Sequence, residues 1–273
     1  MRSKTNMPAF VILEKKVGET PLECLEAWRL NNPEFSNIPL AYAGRLDPMA
    51  EGKLLVLLGD ECKRQESYHN LDKSYVFSIL LGIKSDSKDI LGLVNETGPF
   101  VAETTAITSV LNKLSGEIEL PYPIFSAKTV KGKPLHTWAV EGRLEEITIP
   151  TRRSTIYQLK LVDSGFISRA EMVKQALAKI ALLPKVTDPR KALGNDFRRG
   201  DILPRWQAIL KNGDPTDNFQ IITLECLCSA GTYMRTLAEV IGSNLGSSGL
   251  AWKIKRTEIG IYNPEKNSWD QTF

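Results

Sequence analysis

The chain has 273 residues, 42% of them hydrophobic and 25% charged, with a net charge of +3. That length allows one large domain or two modest ones with a sizeable core, and so mild a basic excess neither demands nor excludes an anionic partner. No apolar run approaches the roughly 20 residues that cross a bilayer, and MRSKTNMPAF lacks the apolar centre of a signal peptide, so the expectation is a cytoplasmic protein with no membrane partner.

In chain order, AFVILEKKVGET reads as a short strand and a turn at Gly18, with Lys15 and Lys16 either meeting phosphate or lying in a solvated turn. Thr20 and Pro21 have the chemistry of an N-cap and a first helical position, and Leu22, Leu25 and Trp28 are spaced for one face of the helix that follows. Next comes YAGRLDPMAEGKLLVLLG, which sets a single carboxylate, Asp47, just ahead of an apolar run, Leu54 to Leu58, that reads as a buried strand. Pro48 biases Asp47 towards an extended backbone, and Gly44 and Gly52 permit close turns on either side. Two readings of Asp47 stay open: a stiff loop presenting a catalytic acid, or a cap on a helical turn that begins at Pro48.

CKRQESYHNL reads as a helix, and DKSYVFSILLGIKSDSKDILG as a strand with a polar turn. On that strand Tyr75, Phe77 and Ile79 share a face, where Tyr75 serves either core packing or base stacking. Glu103 to Leu114 has helical spacing at Ile107, Val110, Leu111 and Leu114. PYPIFSAKTVKGKPLHTWAVEGR follows as an extended segment before a β-run and a helix. Its Lys128, Lys131, Lys133 and Arg143, followed by Arg152 and Arg153 and interleaved with Tyr122, Phe125 and Trp138, suit a phosphate backbone.

From about Ser164 to Asp217 the spacing predicts two helices, with stripes Val173, Ala176, Leu177, Ile180 and Leu203, Trp206, Ile209, joined by a mobile linker. IITLECLCS alternates with Ile222, Leu224, Cys226 and Cys228 on one face. AGTYMRTLAEVIGSNLG turns at Gly231 into a helix whose first turn carries Arg235, a cation that the helix dipole opposes and that a buried carboxylate could favour. GLAWKIKRTEIGIY is a strand setting Trp252 and Ile254 against Lys253 and Lys255. Four cysteines without CxxC spacing and two histidines point to buried reduced thiols and no metal site. Helix and strand patterns alternate too irregularly for a doubly wound sheet, so an α+β fold is expected, with a central, mostly antiparallel mixed sheet flanked by helices.

Several of these segments, taken in order, resemble the TruB family of tRNA pseudouridine synthases. AGRLDPMAEG resembles its catalytic loop, GxLDPxAxG; DKSYVFSILLG resembles the tyrosine segment; SAGTYMRTLAEVIG resembles the third motif, GTYIRTLaxDlG. PYPIFSAKTVKGKPLHTWAVEG is similar to the family's P-P-x-[YF]-S-A stretch, and ILEKKVGET is a weaker match to its KPxGxTS element. The resemblance spans most of residues 9 to 260 apart from Ser164 to Asp217. It implies the pseudouridine synthase fold with an RNA-binding cleft, and Asp47 as the catalytic aspartate. It further implies that Tyr75 packs on the target base, Arg235 pairs with the acid, and Tyr233 and Ile254 help form the uridine pocket. Family members use no cofactor and no metal, and convert uridine 55 in the T-loop of tRNA to pseudouridine.

Four departures mark the chain. Tyr42 and Arg45 replace the usual GHxG approach to the acid, and the GRLD spelling resembles other pseudouridine synthase families, which leaves another RNA target open. Lys16 stands where proline is usual. With the sequence ending at Phe273, no PUA-type domain is expected, and Ser164 to Asp217 is expected to be a helical insertion in a single catalytic domain. The expected phosphate contacts are Lys128, Lys131, Lys133, Arg152, Arg153, Lys255 and Arg256, with Arg198 and Arg199 of the insertion standing in for the missing domain. Tyr42, with Tyr75, is a candidate for holding an unstacked nucleotide. A monomer is expected. The rival readings are a non-catalytic tRNA chaperone and an aspartate glycosidase, which needs a second carboxylate, Glu51 being the nearest in sequence.

Overall fold

The computed structural model describes residues 7–188 and 196–273. In chain order its first half holds β1 (Phe10–Lys15), α1 (Pro21–Asn31), β2 (Leu40–Ala43), β3 (Ala50–Leu58), β4 (Asp72–Leu81), β5 (Ile83–Ser85), β6 (Val94–Glu96), α2 (Thr104–Leu114) and β7 (Gly116–Pro121). The second half holds β8 (Thr129–Val130), β9 (Lys133–Pro134), α3 (Leu135–Val140), β10 (Thr151–Ser168), α4 (Arg169–Ala181), α5 (Arg199–Lys211), β11 (Asn218–Cys228), α6 (Met234–Asn244), β12 (Gly249–Asn263) and β13 (Ser268–Thr272). Nine strands form one sheet in the order β1-β3-β12-β4-β11-β10-β7, with β2 also on β3 and β13 on β12. Every pairing of these strands is antiparallel except β3 with β12. The α+β architecture with a mixed, mostly antiparallel sheet is the one expected.

The strand patterns explain the layers. On β11, Ile222, Leu224, Cys226 and Cys228 join Phe77 and Ile79 of β4 under α6 and α2, which contribute Leu237, Ile241, Ile107 and Leu111. The run Leu54 to Leu58 is at most 1% exposed because both faces of β3 are covered. Leu54, Val56 and Leu58 meet Cys24 and Leu25 of α1, while Leu55 and Leu57 meet Leu71 and Ile259. A strand without polar alternation is what cover on both sides requires.

Three details differ from the sequence reading. Helix α1 opens with the capping box of Thr20 and Glu23, yet Leu22 is 53% exposed. It lies about 110° round the helix from the centre of the Cys24, Leu25 and Trp28 face, at 100° per residue. The stretch Gly59–Tyr68 is a 3₁₀ helix with no buried residue, so no apolar face selects the α geometry there. Ser164 to Ser168 is not part of the insertion, because β10 pairs with β11 as far as Ser168 and Asn218.

The segment expected to be an insertion holds a helical pair that completes the core. Met172, Val173 and Ile180 of α4 and Ile202, Trp206 and Ile209 of α5 pack on Leu80, Phe219, Leu250 and Trp252 of the sheet. The linker expected between these helices falls in part on 189–195, which lie outside the described residues. Among the described residues no helix is long and apolar enough to cross a membrane.

Candidate active site

Asp47 sits in the loop between β2 and β3. Its carbonyl accepts the Ala50 N–H at 3.0 Å, so a turn, not a helix, begins at Pro48. Two buried cations hold this loop from beneath, each only 1% exposed. Lys15 Nζ donates to Glu19 O at 2.6 Å, Lys16 O at 2.9 Å and Pro48 O at 3.4 Å. Arg256 donates from Nε to Lys53 O at 2.7 Å, from Nη2 to Gly44 O at 3.2 Å and from Nη1 to Arg45 O at 3.4 Å. Burial pushes Lys15 down to about 8 and Arg256 below its ordinary value, and the ring of carbonyls is what makes either position tenable. The expectation that Lys15 lies in a solvated turn or meets phosphate is therefore corrected, as is the expectation of Arg256 as a phosphate contact. Gly52 makes room for this arrangement: at φ +106 it pairs with Arg256, and a Cβ would stand 2.1 Å from the Arg256 carbonyl.

Arg235, in the first turn of α6, has the carboxylate partner that its unfavourable place in the helix dipole asks for. Its Nε is 2.7 Å from Asp47 Oδ2, an ion pair without the alignment of a hydrogen bond. Asp89 Oδ2 lies 3.8 Å from the same nitrogen. Nη1 donates to Ser87 O at 3.1 Å and Nη2 to Phe125 O at 3.2 Å. Burial works against the charge, but Asp47 and then Asp89 outweigh it and lift Arg235 above its ordinary value. Asp89 is the member that sequence reading missed. It lies in the polar turn after β5, is 4% exposed, and accepts from Ser87 Oγ at 2.5 Å and from Leu91 N–H at 3.0 Å. Burial pushes its carboxyl up, against the pull of Arg235.

Asp47, with its side chain 40% exposed, opens into a cleft of about 1130 Å³. Tyr42, Tyr75, Tyr233, Arg235 and Ile254 line the same cleft, so the expected site residues are brought together. Tyr75 belongs both to the core and to the cleft wall, and burial pushes its hydroxyl up to about 12 against the effect of Arg256. The Tyr122 and Tyr233 rings stand 5.4 Å apart, with Lys128 Nζ 5.1 Å from the Tyr122 centroid. Burial, then Tyr122 and Asp47, push the Tyr233 hydroxyl up. Lys73, also missed in sequence, lines the cleft at 8% exposure and is pushed down to about 8 by burial and then by Arg256.

The expected phosphate cations divide. Lys128 and Arg152 are on the cleft wall. Lys131 is exposed but donates to Glu146 O at 2.9 Å, Lys133 pairs with Glu141 at 3.1 Å, and Arg153 pairs with Glu119 at 3.1 Å beside a second recess of about 620 Å³. Lys255 is exposed on β12. Arg198 and Arg199, expected to face RNA, instead have side chains 11% and 16% exposed and bond to Asp86 and Asp196. Glu51, the second carboxylate a glycosidase reading would need, pairs with Lys253 at 3.2 Å.

The sheet and its cleft define an α+β protein with the Asp47–Arg235 pair at the cleft, the pseudouridine synthase fold. A chain of the crystal structure of a Cbf5-Nop10-Gar1 complex shares the fold at a TM-score of 0.53 and 17% identity, over 92% of this chain and 48% of that one. Residues 35–173 match the family described as TruB family pseudouridylate synthase (N terminal domain). A tRNA pseudouridine synthase B of Listeria welshimeri serovar 6b is 31% identical over 95% of this chain and 68% of its own length. One of Caldanaerobacter subterraneus subsp. tengcongensis is 39% identical over 84% of this chain and 61% of its own. The chain belongs to the TruB family and spans about two thirds of the length of these curated relatives.

Proposed function

We propose that this chain isomerises uridine 55 in the T-loop of tRNA to pseudouridine in the cytoplasm, with Asp47 as the catalytic aspartate and no cofactor or metal. The observation that carries this reading is the Asp47 carboxylate, open to the cleft and 2.7 Å from a guanidinium that is itself buried. The reaction breaks the N1–C1′ bond, turns the base and joins C5 to C1′; the C5 hydrogen leaves as a proton and N1 gains one. Each route needs a carboxylate at the ribose, either to attack C1′ or to remove the 2′ proton. Arg235 fixes where that carboxylate points.

Extruding a stacked uridine costs a few kcal/mol, and aromatic stacking returns about 1–3 kcal/mol per base. Tyr75, Tyr42 and Tyr233 supply rings for it, Ile254 an apolar wall, and Lys128 and Arg152 charges for the flanking phosphates. The other expected cations, Lys131, Lys133, Arg153 and Lys255, lie outside the cleft lining, and only RNA that extends beyond the cleft would reach them. The protein acts as a monomer.

Tritium release from tRNA transcripts carrying 5-³H-uridine tests this. Wild type is expected to release tritium and Asp47→Asn none above background, with both binding the transcript alike. Replacing uridine 55 alone should abolish release. Release that persists without uridine 55 would assign another RNA target, and binding without release by wild type would assign a chaperone.

A further inference from the structure

Two carbonyls aim the Arg235 guanidinium, Ser87 O and Phe125 O. Both lie in segments between strands: the first is tied to β12 by the Asp89–Ala251 bridge, where Ala251 N–H donates to Lys88 O at 2.9 Å, and the second lies between β7 and β8. A second arginine, Arg198, touches both segments as well. Arg198 donates from Nη1 to Asp86 Oδ2 at 2.7 Å and from Nη2 to Asp86 Oδ1 at 3.1 Å and Leu91 O at 3.3 Å. Its guanidinium carbon also stands 3.9 Å from the centroid of the Phe125 ring. Asp86 Oδ1 in turn accepts the Leu93 N–H at 2.8 Å, which closes the turn around Ser87 and Asp89.

The backbone that delivers Arg198 is unusual. Asp196, Phe197 and Arg198 follow one another at φ 40°, 56° and 58°, the left-handed region that side-chain-bearing residues seldom enter. Such conformations persist where the surroundings over-determine them, and they gather at functional sites. Here Asp196 accepts from Val186 N–H at 3.0 Å and from Arg199 Nε at 3.1 Å, so the reversal is tied on both sides.

We propose that Arg198, supplied by the insertion, is a positioning residue for Arg235 and through it for Asp47. By spanning Asp86 and Phe125 it fixes the separation of the two carbonyls that orient the active-site guanidinium. A planar fork does this well, because one group makes the bidentate contact and the ring stack together. At 11% exposure, with three acceptors already engaged, it is not arranged to receive a phosphate.

The proposal rests on Asp47 as the catalytic group, so its test has a readout that does not need turnover. Arg198→Met is expected to lower the single-turnover rate by about 10- to 100-fold while the RNA dissociation constant changes by less than about two-fold. Arg198→Lys should lose less. Phe125→Leu should act in the same direction, and the double variant should lose little more than the worse single one, since the two side chains act as a unit. The Nε–H signal of Arg235 in a ¹⁵N NMR spectrum should move in each variant. Unchanged rates, a loss accounted for by weaker RNA binding, full additivity, or a stationary Arg235 signal would overturn the assignment. If Arg198→Met does not fold, Phe125→Leu decides by the same measurements. If wild type proves inactive, the catalytic reading fails and the Arg235 signal alone decides: movement keeps the positioning role, and none ends it.

Discussion

Charged side chains organise this site from inside the protein. Lys15, Arg235 and Arg256 are each no more than 4% exposed, and each is met by oxygens fixed on the backbone or on acids. A buried ammonium with three acceptors is stable as a cation at neutral pH, but its desolvation still counts against folding. For Lys15 this sets a sign. Folded, it titrates at about 8, and unfolded near 10.5, so between those values the unfolded chain holds a proton that the folded chain has shed. Stability from this group therefore rises with pH across that window, being lowest below about 8. In urea titrations, the margin of wild type over Lys15→Met should widen between pH 7.5 and 10 by about 1–3 kcal/mol. A constant margin would mean that Lys15 titrates normally.

Strand β12 separates two kinds of cation by its pleat. Lys255 points outward and Arg256 inward, where its guanidinium anchors the Asp47 loop to β3. Basic residues turned to the cleft and to the interior thus have different expected effects. Arg152→Ala, on the cleft wall, should weaken RNA binding and reduce the slope of log affinity against log salt by about one. Arg256→Ala should leave that slope unchanged and cost about 2–4 kcal/mol of stability, because three carbonyls lose their donor. Salt titration of RNA binding and denaturant melts separate the two. Equal slopes for wild type and Arg152→Ala would remove that arginine from the RNA path.

Across the whole molecule, the helical pair α4 and α5 is part of the core and not an appendage. Helices α4 and α5 cover Leu80, Phe219, Leu250 and Trp252, and Trp206 donates to Ile90 O at 3.1 Å, beside Asp89. Burial of each large apolar side chain is worth about 1.5–3 kcal/mol, and a domain of this kind has a margin of about 5–15 kcal/mol. Joining Ser168 to Asn218 by a short Gly-Ser turn, which their pairing in the sheet permits, should therefore abolish cooperative melting. A sharp circular-dichroism transition at the wild-type temperature would contradict this, and would restore the view of the insertion as a separable RNA-binding element.

What sequence alone determined is whatever depends on neighbours along the chain. The Gly-Pro framing of Asp47, the alternation of β11, the unbroken apolar run of β3 and the stripe of α6 each carry their meaning within a dozen residues. The suspicion that Arg235 needed a carboxylate also came from its place in one helix turn. Only the tertiary structure decided which cations are spent internally. Lys15, Arg198, Arg199 and Arg256 read as surface charges because the oxygens that receive them include backbone carbonyls, which no side-chain pattern reveals. Asp89 was hidden for a related reason: it reaches Arg235 from a turn 146 positions away in sequence, a proximity created by sheet order.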